Sequence, residues 1–210
     1  MIESYIPLKT IVCFLFVICW LFIGCKKEEP VIPLCNPEKF FPLKKGNYWI
    51  LQNYTVFDNG TIGDGEIDSL YISSDTLMLG YQFFHLKGTF HRKPISHFLT
   101  ATNGQIVSAD HYVFYECPRL FDSKKLYPVM GFDFPAIINT TRKDTLIRVA
   151  AGDFEPVMLF ESHSMLEDSI WIVTYKAYYS KHVGLVKFSS RCVGCNYENF
   201  SDLVRYHVEN

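Results

Sequence analysis

From residue 48 to residue 208 the chain is written in short runs of aromatic and β-branched side chains, cut at brief intervals by glycine, asparagine or proline. Beyond residue 25 no window of about 11 to 18 residues keeps a clean apolar period of 3.6, so helix is expected to be minor. The 18 Phe, 13 Tyr and 3 Trp suit half-buried pleated surface better than helix. Strands are expected at 48–57, 69–73, 76–79, 81–86, 97–102, 105–109, 112–116, 145–150, 154–161, 169–179, 185–189 and 203–208. Asp58-Asn59-Gly60 closes the first run, and Asn103-Gly104 is the strongest two-residue hairpin signal. Consecutive strands on short turns pair antiparallel, and a dozen of them must close, curl or split to bury one face and protect their edges. The expected fold is therefore all-β: one antiparallel curved sheet forming a barrel or half-barrel, with a sandwich as the alternative.

The start of the chain reads differently. Ile11 to Gly24 carry no charge, and fourteen helical residues at about 1.5 Å each reach roughly 21 Å, short of the roughly 30 Å hydrocarbon layer. A signal-peptide core fits that length. The run ends in Phe22-Ile23-Gly24-Cys25, followed by Lys26-Lys27-Glu28-Glu29-Pro30. This arrangement resembles a bacterial lipobox, with Phe where Leu is usual, and implies lipid attachment at Cys25. An uncleaved apolar helix with Cys13, Cys19 and Cys25 as small apolar residues is the other reading. Residues 1–24 are thus expected to be a lipoprotein signal peptide, 25–38 a lipidated tether stiffened by Pro30, Pro33 and Pro37, and 39–210 a single β domain. Lys27-Glu28-Glu29 resembles the Lys-acidic-acidic signals that send lipoproteins of the Bacteroidota to the outer face of the outer membrane; a solvated charged tether has the same composition.

The charge balance excludes other classes. With 20 Lys+Arg against 22 Asp+Glu and 49% hydrophobic residues, the chain is neither disordered nor built to bind nucleic acid.

Three segments carry a family resemblance. Phe40-Phe41-Pro42-Leu43-Lys44-Lys45-Gly46-Asn47-Tyr48-Trp49, Ala151-Gly152-Asp153-Phe154 and Tyr178-Tyr179-Ser180-Lys181-His182-Val183-Gly184-Leu185-Val186-Lys187 are similar to the FPLKxGNxW, AGxF and YYxxxVGLVK pattern of small secreted lipoproteins of Bacteroidota. The resemblance implies an envelope lipoprotein, with a fold of the open LolA/LolB half-barrel type. In physical terms Gly46-Asn47 makes a tight lead-in that drops Trp49 into the core, and Val183-Gly184 bends the chain where a side chain would obstruct.

Candidate chemistry is sparse. Besides Cys25, an exported chain keeps Cys35, Cys117, Cys192 and Cys195, an even count that allows three disulfide connectivities. Pairing of Cys192 with Cys195 and of Cys35 with Cys117 is favoured. Cys192-Val193-Gly194-Cys195 also has redox and half-zinc spacing, but it lies in a hairpin-like loop without a following helix or a second ligand pair. His85, His91 and His97 recur every six residues, a spacing that would suit metal only if one face held all three. Glu155, Glu161, Glu167 and Asp168 are the carboxylates that paired glycoside chemistry would need. No G-x-S-x-G, H-E-x-x-H or P-loop is present. The expectation is a non-enzymatic structural or interaction module, without cofactor or metal, held to the outer membrane by its lipid and meeting an envelope protein partner. The alternative is a carrier or sensor of an apolar ligand such as an acyl chain, seated in the concave sheet.

Overall fold

The computed structural model describes residues 36–102, 104–117, 126–127, 136–166 and 170–209. Cys25 and Cys35, with the expected signal peptide and most of the tether, lie outside the described residues, as do Asn103, Glu167 and Asp168. Fourteen strands are described: β1 (Tyr48–Phe57), β2 (Ile62–Met78), β3 (Tyr81–Phe90), β4 (Lys93–Thr102), β5 (Gln105–Ser108), β6 (Val113–Glu116), β7 (Leu126–Tyr127), β8 (Ala136–Lys143), β9 (Ile147–Val149), β10 (Gly152–Phe154), β11 (Val157–Leu166), β12 (Ile170–Ser180), β13 (Gly184–Cys192) and β14 (Tyr197–His207). Helix among the described residues is confined to a 3-10 turn at Pro37–Lys39.

Twelve of these strands form one antiparallel sheet in the order β6-β5-β4-β3-β2-β1-β14-β13-β12-β11-β8-β7, and β9 and β10 form a separate hairpin. The sheet curls into a nearly closed barrel with one seam. Its arrangement follows from one long-range pairing. The chain meanders outward from β1 to β6, returns from β11 to β14, and β14 then lies beside β1 in a ladder running from Tyr48 opposite His207 to Phe57 opposite Tyr197.

Strand alternation decides which side chains fill the interior. On β1 the inward positions are Trp49, Leu51 and Asn53, all buried; β2 contributes Asp68, Leu70 and Ile72, and β14 contributes Ser201 and Leu203. Rings complete the core. Phe41 lies between Trp49, 5.5 Å between centroids, and Tyr179 at 6.0 Å. The edge strand β6 meets β11 and β12 through side chains: Tyr115 packs on Phe160 and Tyr179, and the Tyr179 hydroxyl donates to the Phe114 carbonyl at 2.9 Å.

One end of the barrel is finished by two local segments. Residues 36–47 cross the end where β1 begins. Asn36 caps the 3-10 turn by accepting from the Glu38 amide, and the His182 amide donates to the Lys39 carbonyl at 2.6 Å. On the side where β13 and β14 diverge, their ladder covers only Lys187–Ser190 opposite Asn199–Asp202. The β9–β10 hairpin reaches that gap: the Ala151 amide donates to the Leu203 carbonyl at 3.0 Å, and Phe154 is buried.

Candidate functional site

Two of the three resemblance segments, residues 40–49 and 178–187, meet in space. Trp49 donates its indole Nε1 to the Val183 carbonyl at 2.5 Å, and Gly184, at φ 96, lies so close that a Cβ there would stand 2.8 Å from that same nitrogen. Fully buried Asn47 donates from Nδ2 to the Pro42 carbonyl and accepts the Glu209 amide at Oδ1. These residues seal one barrel end; none presents a reactive group to solvent.

Inside, the sheet encloses a cavity of about 50 Å³ lined mainly by Phe90, Phe114, Phe160, Tyr175, Phe188 and Ser162. That volume accommodates a few waters and is far below the roughly 300–1,000 Å³ of small-molecule sites. Ser162 is buried and its hydroxyl has no hydrogen-bond partner among the described residues. Burial pushes the hydroxyls of Tyr115 and Tyr179 well above the ordinary tyrosine range, Tyr115 adding to the effect on Tyr179. Both stay protonated, and neither is a base.

Next to this apolar space lies a buried polar chain that the sequence reading does not single out. Asn53 Nδ2 donates to Asp68 Oδ2 at 2.8 Å, and Ser201 Oγ donates to Asn53 Oδ1 at 2.6 Å. His91 Nε2 stands 3.4 Å from Ser201 Oγ, its ring between Phe90 and Phe188. Burial holds the His91 pKa below 6.5, partly offset by Asp68 and reinforced by Lys93. Serine, histidine and aspartate are thus neighbours without forming a triad: the serine proton is committed to Asn53, the aspartate binds Asn53 instead of the imidazole, and Ser201 is fully buried. Period-two alternation from Trp49 through Leu51 is the signal that would have placed Asn53 indoors.

On the outer wall Lys187 forms an ion pair with Asp202 at 3.1 Å, reaches the Tyr54 hydroxyl at 3.4 Å and covers the Phe200 ring. Burial alone would lower the Lys187 pKa; Asp202 and Tyr54 more than offset it, and the group is held charged. A wider groove of about 600 Å³ runs beside the 192–195 loop, over Thr174, Lys176, Ser189 and Arg191. Its cations are matched by acids: Arg191 pairs with Asp58 at 3.0 Å and Lys176 with Glu161 at 3.7 Å.

The sequence candidates do not converge. Cys192 and Cys195 are joined in a disulfide, Cα atoms 5.4 Å apart. Cys117 is disulfide-bonded, and Cys35, its expected partner, is not among the described residues. His85 bonds Ser96 on the outer face while His97 packs on Phe114 inside, and His91 occupies the β3–β4 turn. The six-residue spacing therefore does not gather them, because each strand face and the turn between take one apiece. No metal-holding group of three is found among the described residues. Glu161 is tied to Lys176 and His163 on the wall, and Glu155 is exposed at the start of β11.

No protein-family model matches the chain, and no curated protein matches it. Among solved structures it is similar to a candidate lipoprotein of Parabacteroides distasonis ATCC 8503, at 15% identity and a TM-score of 0.52, covering 82% of this chain and 99% of that one. It is also similar to a candidate exported protein with a YmcC-like fold from Bacteroides fragilis NCTC 9343, at 14% identity and a TM-score of 0.48, covering 82% of this chain and all of that one. At this identity the first likeness shows a shared fold.

Proposed function

We propose that the protein is an envelope lipoprotein, anchored to the outer membrane through acylated Cys25, whose barrel is a non-enzymatic structural or interaction module. The observation that carries the second half is the filled interior: rings from five strands and from Phe41 leave about 50 Å³, and the buried polar chain is satisfied within itself. The lipobox and the resemblance segments support the first half, together with the lipoprotein and exported descriptions of the two solved structures. An amino-terminal cysteine carrying acyl chains is held in a bilayer because each buried CH2 contributes about 0.8 kcal/mol. Cys25→Ala is expected to abolish both acyl labelling and membrane association; persistence of both would refute the anchor.

A second reading, an apolar-ligand carrier, is favoured by one feature, the unpartnered Ser162 hydroxyl facing the aromatic cavity. Native mass spectrometry separates the two. A reproducible lipid adduct on the purified protein supports the carrier, and a bare mass supports the packed module.

A further inference from the structure

The β2–β3 hairpin outgrows the sheet. β1 accompanies β2 only as far as Tyr48 opposite Tyr71, and β4 accompanies β3 only from Phe84 opposite Leu99. Among the described residues, the two strands from Ser74 to Phe83 therefore have only each other as strand neighbours, and they form a projecting arm. Its tip is apolar: Leu77 is 70% exposed, Leu79 98% and Tyr81 60%. No charged residue occurs from Thr76 to Phe84. The acid just behind the tip, Asp75, is held by the Gln82 amide at 2.7 Å. The turn places Leu79 at φ 51 and Gly80 at φ 81, a geometry that favours asparagine followed by glycine and strains a leucine. A strained leucine touching almost nothing in its own protein is accounted for by an apolar phase outside it.

The position of the arm says which phase. β2 runs antiparallel to β1, so the arm projects past the first residue of β1, at the end sealed by residues 36–47. The described chain begins at that same end. Residues 25–35 span at most about 36–40 Å when extended, while the arm from Ile72 to Leu79 extends about 23 Å. A barrel tethered through Cys25 therefore keeps this tip within reach of the leaflet that holds its acyl chains. Charge at this end is mixed, with Lys39, Lys45 and Lys181 exposed beside Glu38 and Glu155, so it is the apolar tip that suits the acyl boundary. Resting on the anchor reading, we infer that Leu77, Leu79 and Tyr81 are a second membrane contact, entering the headgroup–acyl boundary of the bilayer in which Cys25 is seated.

The test uses the full chain, acylated in a bacterial host and reconstituted into vesicles of phosphatidylethanolamine and phosphatidylglycerol with or without brominated acyl chains. Tryptophan is introduced at the tip by Leu79→Trp, or at the opposite end by Ile62→Trp, where Ile62 is 65% exposed. Brominated lipid is expected to remove about half of the emission added at the tip and shift it to the blue, as burial at the acyl boundary requires, while leaving the Ile62→Trp signal unchanged. Equal quenching at both positions, or at neither, in protein whose mass shows acylated Cys25 overturns the inference and leaves the anchor standing. A blue shift of the Leu79→Trp signal that depends on protein concentration without lipid overturns it in favour of a contact between copies. An unacylated Cys25 overturns the anchor reading instead, and with it the tether that places the tip at the bilayer.

Discussion

At the scale of single residues, space and polarity decide what each position tolerates. Gly184 combines a left-handed φ with the Trp49 indole directly over its missing Cβ. Gly184→Ala is expected to cost about 1–3 kcal/mol in urea denaturation, more than backbone strain alone, because the indole bond to the Val183 carbonyl is displaced as well. Ser162 is the opposite case, a buried hydroxyl without a partner among the described residues. Ser162→Ala is expected to be neutral or to stabilise by about 0.5–1 kcal/mol, since it removes a desolvated group that returns nothing. A loss of stability in the same measurement would instead indicate a bound polar occupant of the cavity.

Elements show where local pattern was enough to read the chain and where it was not. β1 was legible to the residue because its alternation and its Asp58-Asn59-Gly60 turn agree. β2 was read as two short strands from residue 69, yet it is a single strand of 17 residues. Its first half, rich in Gly, Asp and Glu, is extended because β1 pairs with it, and Asp68 faces inward because Asn53 answers it across the strands. β8 was missed for a related reason: its ladder to β11 holds a polar stretch that has no strand signature of its own. β4 was read from residue 97, yet it begins at Lys93, directly after a tight turn that holds His91 and Arg92 at positive φ. The AGxF segment, read only as part of the family resemblance, forms a plug, with Phe154 buried where β13 and β14 part. Phe154→Ala is expected to lose about 3 kcal/mol or more of unfolding free energy, whereas removing the short Cys192–Cys195 bridge, as Cys192→Ser with Cys195→Ser, is expected to lose no more than about 2 kcal/mol.

For the whole molecule, pH acts through histidines enclosed by the barrel. Burial holds both His91 and His97 below 6.5, with Asp68 and Asp110 respectively pulling the other way. Well above pH 6.5 the imidazoles are neutral folded or unfolded and contribute no slope. Below it the unfolded chain takes up protons that the folded one resists, so stability falls as the solution is acidified. Thermal midpoints taken from pH 7.5 down to pH 5 are expected to decline, and His91→Phe to flatten that decline relative to the parent. The site was less legible than the fold, because its members come from strands far apart in the chain: Asn53 meets Ser201 across 148 positions. The pairing of β1 with β14 has a further meaning for biogenesis. Synthesis from the amino end presents β1 long before β14 exists, so one of its edges stays bare, and open to mispairing, until the chain is nearly complete.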